Sequence, residues 1–220
     1  MELGLDGRVE LVTGGSKGIG RACAEGLAAE GCRVAICARG ATALGAVARD
    51  LAEPGALVIT IAADLSEKAS ASRVVGEVVH HFGRLDILVN NAGAIRDGGF
   101  LETAVSVWEH ENVIGTAARN PVTTFMAGGI ANAGLINFTR ALADLGAPDR
   151  ILVTAVSPGP IAIQGPDRGA AVRSTTHPLG RMGTPQDVAD LVTFLASERA
   201  SFISGVAITV DGGASRGVYL

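Results

Sequence analysis

Short, continuous apolar runs alternate with helix-period segments along nearly the whole chain. The runs are Val9–Val12, Val34–Ala38, Leu57–Ala62, Ile87–Asn90, Ile151–Val156 and Val206–Val210. Short runs that are mostly apolar and rich in β-branched residues predict strands covered on both faces, as in a parallel sheet. Between them, Arg21–Glu30 is Ala-rich, and Val74, Val75, Val78, Val79 and Phe82 recur at helical spacing. Ser66 is the expected N-cap of that second helix and Gly83 its end. Leu135, Phe138, Leu142 and Leu145 mark another helix, and Phe100–Trp108 at most a short one. Thr184-Pro185 opens the last, with Val188, Leu191, Val192 and Leu195 expected on one buried face. No repeat or linker divides the chain, and Ser157–Pro178 is its long irregular stretch. The pattern predicts one α/β domain over residues 1–220, a doubly wound parallel sheet with helices on both faces.

Composition narrows the function classes. With 220 residues, 48% hydrophobic and 18% charged, the chain can bury a full core. A net charge of −4 leaves no basic footprint for nucleic acid. No apolar run approaches a membrane span, and Met1-Glu2-Leu3-Gly4 lacks the features of a signal peptide. Cys23, Cys32 and Cys37 read as buried thiols in a reducing compartment. The expectation is a cytoplasmic globular protein without a metal site. His110, flanked by Glu109 and Glu111, reads as a solvated turn, because no second His or Cys stands at ligand spacing.

The segment richest in chemistry is Thr13-Gly14-Gly15-Ser16-Lys17-Gly18-Ile19-Gly20. It follows a predicted strand and opens a predicted helix. Glycines let the backbone approach a pyrophosphate, and free N–H groups with the helix dipole favour its charge. At the end of the second strand, Cys37-Ala38-Arg39 carries no acid to receive a ribose 2′-hydroxyl. Lys17 and Arg39 are two cations placed for a 2′-phosphate, which favours NADP over NAD. The alternative is that both side chains are simply solvated.

Together with these residues, Asn90-Asn91-Ala92-Gly93, Ser157-Pro158-Gly159-Pro160-Ile161, Pro178-Leu179-Gly180-Arg181, Thr184-Pro185-Gln186-Asp187-Val188, Phe194-Leu195-Ala196-Ser197 and Val210-Asp211-Gly212-Gly213 stand in order. The chain thereby resembles the short-chain dehydrogenase/reductase family nearly end to end, which implies a Rossmann-type fold and carbonyl/alcohol hydride transfer. The resemblance assigns the pyrophosphate to Gly14, Ser16, Lys17, Gly18, Ile19 and Gly20, and the adenine surroundings to Asp64 and Leu65. It sets Asn91, Ala92 and Gly93 beside the cofactor, and Pro158, Gly159 and Ile161 against the nicotinamide. It further implies a homo-oligomer, a dimer or tetramer. With the segment between Asn90 and Asn112 short, the expected contacts are Gln186–Ala196 and Val206–Val210.

The family's catalytic residues are a Ser and a Y-x-x-x-K pair. Matching Ala133–Leu142 to the sequence after that Lys puts Asn132 at the Lys position, Gly128 at the Tyr position and Gly115 at the Ser position. The chain's single tyrosine is Tyr219, and its lysines are Lys17 and Lys68. Thr116 offers a hydroxyl and Asn132 an amide for a ribose, but neither is a proton donor of tunable pKa, a role worth roughly 10²–10⁴ in rate. His177, before Pro178, is the histidine best placed for function. Two readings follow: an NADP(H)-dependent oxidoreductase with altered acid–base chemistry, or a catalytically silent nucleotide-binding subunit or regulator.

Overall fold

The structure, a computed structural model, describes residues 2–52, 56–93, 126–163 and 177–215. Two compact units are present, one of Met1–Ala92 with Ala189–Ala200, the other of Gly93–Val188 with Ser201–Leu220.

In the first unit β1 (Val9–Thr13), α1 (Gly18–Ala29), β2 (Arg33–Ala38), α2 (Ala41–Leu51), β3 (Val58–Ala62), α3 (Ser70–Phe82) and β4 (Ile87–Val89) alternate. All strand pairs are parallel, in the order β3-β2-β1-β4. That order, and the covering of both faces, make this an α/β Rossmann-type sheet. Alternation of side chains along each strand builds the two faces. Val12, Val34 and Ile36 pack with Ala22, Cys23, Leu44 and Val47 of α1 and α2. Val9, Leu11, Ala35, Cys37 and Ile61 pack with Val74 and Val78 of α3. Ala189 and Val192, in the part of the last helix that belongs to this unit, join the first cluster.

The second unit contains α4 (Met126–Gly146), β5 (Ala155–Pro158), the start of α5 (Pro185–Ala196) and β6 (Ala207–Val210). β5 and β6 pair in parallel from Ala155 opposite Ala207 to Pro158 opposite Val210. Thr184 and Asp187 close the first turn of α5 reciprocally: Asp187 N–H donates to Thr184 Oγ1 (3.2 Å) and Thr184 N–H to Asp187 Oδ2 (2.6 Å).

Three expectations shift. Ser66 does not cap α3, which starts at Ser70; its N–H and hydroxyl instead bond Asp64 Oδ1 at 3.0 and 2.8 Å. A local Asx-type bond thus competes successfully with the helix for the same side chain. The run from Ile151 enters the ladder only at Ala155, because Val153 N–H goes to the Ser204 hydroxyl. Helix α4 forms, but Phe138 and Leu145 lie on its exposed side while Asn132, Thr139 and Ala143 are buried. Gly83 ends α3 as expected, at φ 81°, with its N–H on Val79 O. The Phe100–Trp108 helix lies outside the described residues.

Glu10, in the middle of β1, is fully buried and neither carboxyl oxygen has a hydrogen-bond partner. Burial pushes its pKa well above the ordinary glutamate value. Burial, then the Glu10 charge, push the nearby Cys23 and Cys32 thiols up to about 12, so both stay protonated and unreactive. For a carboxyl with a raised folded pKa, both states are protonated at low pH. Above the unfolded value the unfolded chain ionises first, so stability falls as pH rises towards the folded pKa. Glu10→Leu is therefore expected to raise unfolding free energy by about 1–3 kcal/mol at pH 8. Urea denaturation should show a smaller gain at pH 4; an equal gain at both would mean that Glu10 holds no proton.

Candidate functional site

The glycine turn is fixed by one hydroxyl. Thr13 Oγ1, at the end of β1, donates to Val89 O (3.2 Å) and accepts from the N–H groups of Asn91 (2.9 Å) and Ala92 (3.0 Å). The Asn91 amide donates back to Thr13 O (2.9 Å). These bonds bring together the two turns that sequence placed beside the same cofactor. They leave no room for side chains: a Cβ on Gly20 would collide with Asn91 Nδ2 and the Gly14 carbonyl, and one on Gly15 would sit 2.8 Å from Ile36 Cγ2. Gly14 adds a positive φ of 67°, which a larger residue adopts only with strain. Thr13 was read only as the motif's first letter; a hydroxyl at a strand end before such a turn is the signal for its role.

The turn opens α1 at Gly18. Lys17 occupies the N-cap in extended conformation, and no side chain caps the helix. Its first N–H groups and dipole therefore remain for an anion, with the exposed Lys17 beside them. Ser16 is half-buried, and Ile19 packs against the core between α1 and α2. Arg39 is exposed at the end of β2, one strand from Asp64. The Asp64 carboxyl is held below its ordinary value, first by the Ser66 N–H and hydroxyl and then by the Arg39 charge. Leu65 packs under this corner against the α3-side core.

In the second unit Pro158 ends β5, and Gly159 donates to Val210 O at 2.9 Å. A Cβ on Gly159 would lie 2.6 Å from Asp211 Cβ, so glycine is what allows the two strand ends to approach. Ile161 bridges Gly183, with Ala162 N–H on Gly183 O at 2.8 Å. Asn132 is buried on α4, with neither amide atom hydrogen-bonded. Gly128 belongs to the same helix, Gly93 is exposed, and Gly115 and Thr116 lie outside the described residues.

A cavity of about 180 Å³ opens at the carboxyl ends of β5 and β6, walled by Pro160, Leu179, Val210, Gly212 and the charged side chains Arg181, Asp187 and Asp211, with His177 beside them. Arg181 grips both oxygens of Asp187 at 2.7 Å, which with the Thr184 bonds holds that carboxyl far below its ordinary value. Burial alone would raise the Asp211 pKa; bonds from Ser215 and Gly213 and the charge of His177 outweigh it and lower it. These segments stand apart in the sequence, and no pattern there marks them as walls of one cavity. Among the described residues no group of His, Cys, Asp and Glu could hold a metal, and no helix is long and apolar enough to cross a membrane.

Comparison with known proteins agrees with this geometry. The short chain dehydrogenase family model matches residues 8–115, and the enoyl-(acyl carrier protein) reductase model matches 112–215. A 3-oxoacyl-[acyl-carrier-protein] reductase of Aquifex aeolicus is 36% identical, over 97% of this chain and 99% of its own. That alignment runs over 249 positions against 220 residues here, so at least 249 − 220 = 29 of its positions have no counterpart. A short-chain dehydrogenase/reductase of Serratia marcescens superposes with a TM-score of 0.88 at 33% identity, covering 96% of this chain and 98% of its own. L-sorbose reductase of Gluconobacter frateurii, whose structure holds NADPH and L-sorbose, superposes with a TM-score of 0.93 at 29% identity, covering 99% of this chain and 100% of its own. With its parallel sheet, its glycine turn and relatives matched over nearly their whole length, the chain belongs to the short-chain dehydrogenase/reductase family of nicotinamide-dependent oxidoreductases.

Proposed function

We propose that the protein is an NADP(H)-dependent oxidoreductase acting on a carbonyl/alcohol pair, as one nucleotide-binding domain, without the family's Ser/Tyr/Lys chemistry. The observation that carries this reading is the uncapped start of α1 behind a locked glycine turn, with Arg39 and no acid at the end of β2. The residues present fit the cofactor. Gly14 through Gly20 would hold the pyrophosphate, Lys17 and Arg39 the 2′-phosphate, Asp64 and Leu65 the adenine. Asn91, Ala92 and Gly93 would flank it, and Pro158, Gly159 and Ile161 the nicotinamide, which supplies hydride when bound. NADPH bound in the sorbose reductase and the NADPH dependence of a reductase of bacilysin biosynthesis support the same preference.

The chain lacks Y-x-x-x-K altogether, which favours a second reading as a silent nucleotide-binding subunit or regulator. Calorimetry with NADPH and NADH, beside NADPH oxidation against a panel of carbonyl compounds, separates the two: binding without turnover is the silent protein. In the oxidoreductase reading NADPH binds more tightly than NADH. Ala38→Asp is expected to weaken NADPH by roughly 10–100-fold through repulsion of the 2′-phosphate and to reverse the preference. Tighter NADH binding by the unmodified chain would sink the assignment.

Gly20→Ala is expected to abolish binding of either nucleotide, because its methyl must displace Asn91 or the Gly14 carbonyl. Circular dichroism should confirm that the variant still folds; unchanged affinity would show that the turn is not the nucleotide site.

We also propose a homo-oligomer, a dimer or tetramer, joined through α5 and β6. Phe202, fully exposed, and Val206, half-exposed, offer apolar surface next to β6 for a second copy. Phe202→Asp is expected to lower the mass found by light scattering, and an unchanged mass would move the interface elsewhere.

A further inference from the structure

The cavity of the second unit lies outside the carboxyl ends of two parallel strands, the position at which open α/β sheets take ligands. His177 lines it and is nine-tenths buried, yet neither ring nitrogen has a hydrogen-bond partner. The ring is held by its backbone, with Gly180 N–H on His177 O at 2.9 Å. A Cβ on Gly212 would stand 3.4 Å from Nδ1 and 3.3 Å from Leu179 Cδ1, so the missing side chain there leaves a gap between that nitrogen and Leu179. Imidazole always has a donor or acceptor on each nitrogen, and leaving such groups unpaired in a protein interior costs about 1–3 kcal/mol apiece. An arrangement that leaves both unpaired beside a cavity points to a ligand.

The surrounding charges say what kind. Arg181 and Asp187 neutralise each other through two 2.7 Å bonds. The Asp211 carboxylate accepts from Gly213 N–H at 2.9 Å and Ser215 N–H at 2.8 Å. His177 is thus the uncommitted polar group of the cavity lining, which also holds apolar Pro160, Leu179 and Val210. The volume of about 180 Å³ exceeds the roughly 150 Å³ that suffices for benzene in an engineered cavity. An uncharged molecule of six-membered-ring size with one hydrogen-bonding oxygen fits these walls.

We propose that this cavity binds a small ring-sized ketone or alcohol whose oxygen is bonded by His177, and that His177 exchanges the proton of the reaction at that oxygen. The hydride side of the proposal rests on the oxidoreductase reading above. In reduction, a reduced nicotinamide, when bound, would supply a hydride with its electron pair to the carbonyl carbon. The oxygen gains the ring proton of the His177 imidazolium, leaving an alcohol, oxidised nicotinamide and neutral imidazole. The oxidation reverses each transfer, with neutral imidazole as base. His177 would supply the function that Gly128, at the family's Tyr position, cannot.

The test uses the full chain with ¹³C-labelled histidine, His177→Gln assigning the signal. Titration with cyclohexanone, without nucleotide, is expected to shift the His177 ring resonances saturably and to leave His80 and His81 unmoved. Leu179→Trp, which adds bulk to the cavity lining, should remove that shift while preserving the signal. With NADPH, cyclohexanone reduction should lose rate on the alkaline side. His177→Gln should lower kcat/KM about 10²-fold and flatten that limb, with NADPH affinity by calorimetry unchanged. NADPH binding with no His177 shift up to the solubility of cyclohexanone overturns the site. A His177→Gln variant with the wild-type rate and pH profile overturns the proton role. A saturable shift with no NADPH binding keeps the site and overturns the oxidoreductase reading instead.

Discussion

The Thr13 hydroxyl is the smallest element on which the nucleotide half depends. One oxygen donates to the carbonyl that ends β4 and accepts from the two N–H groups that follow it. Two strand ends are thereby clamped at hydrogen-bond distance, and the Asn91 amide closes the clamp from the other side. A turn drawn so tightly can be made only of glycine where Gly14, Gly15 and Gly20 pass their neighbours. The same tightness leaves the helix N-terminus uncapped and its N–H groups available. Turn shape, glycine content and anion affinity are therefore one constraint seen three ways.

The first unit was legible because burial on two faces writes itself as short, predominantly apolar runs. Val9–Val12 and Val34–Ala38 contain scarcely a polar side chain, and the strands fall where those runs fall. The interruption at Glu10 was hidden by its neighbours: five consecutive buried positions leave no alternation to mark one carboxyl as out of place. Helix α2 was not singled out, since Ala41–Leu51 has only Leu44, Val47 and Leu51 on its buried side. Local competition was the other source of error. Ser66 could cap a helix or bond Asp64, and spacing alone does not decide between them.

The site divides along the same line. Segments that bind through backbone have a sequence signature, because glycine is required where chains cross. Thus Gly14 and Gly20 could be named from the strand–turn–helix pattern and Gly159 through the family resemblance, and each meets a neighbour that excludes a side chain. The cavity beside His177 has no such signature. Its walls come from residues far apart in the chain, and Pro160, Leu179 and Val210 are ordinary apolar residues until the strand ends bring them together. Even the Arg181–Asp187 pair, six residues apart, is fixed by the reciprocal cap of α5 and not by any motif of catalysis.

This division bears on the proposed reading, in which the family pattern stands without its acid–base residues. The Thr13 bonds of the glycine turn join two strand ends, so losing that hydroxyl would disturb the sheet itself. On the proposed reading, Gly128 and Asn132 stand where the family has its Tyr and Lys. Gly128 has no side chain to pack, and Asn132 is buried with an unsatisfied amide, an energetic cost of about 1–3 kcal/mol that a purely structural position would shed for an apolar residue. Retaining an amide there is consistent with a polar partner for Asn132, while Gly128 leaves the proton to be carried elsewhere. His177 meets that requirement with a ring whose two nitrogens are still uncommitted.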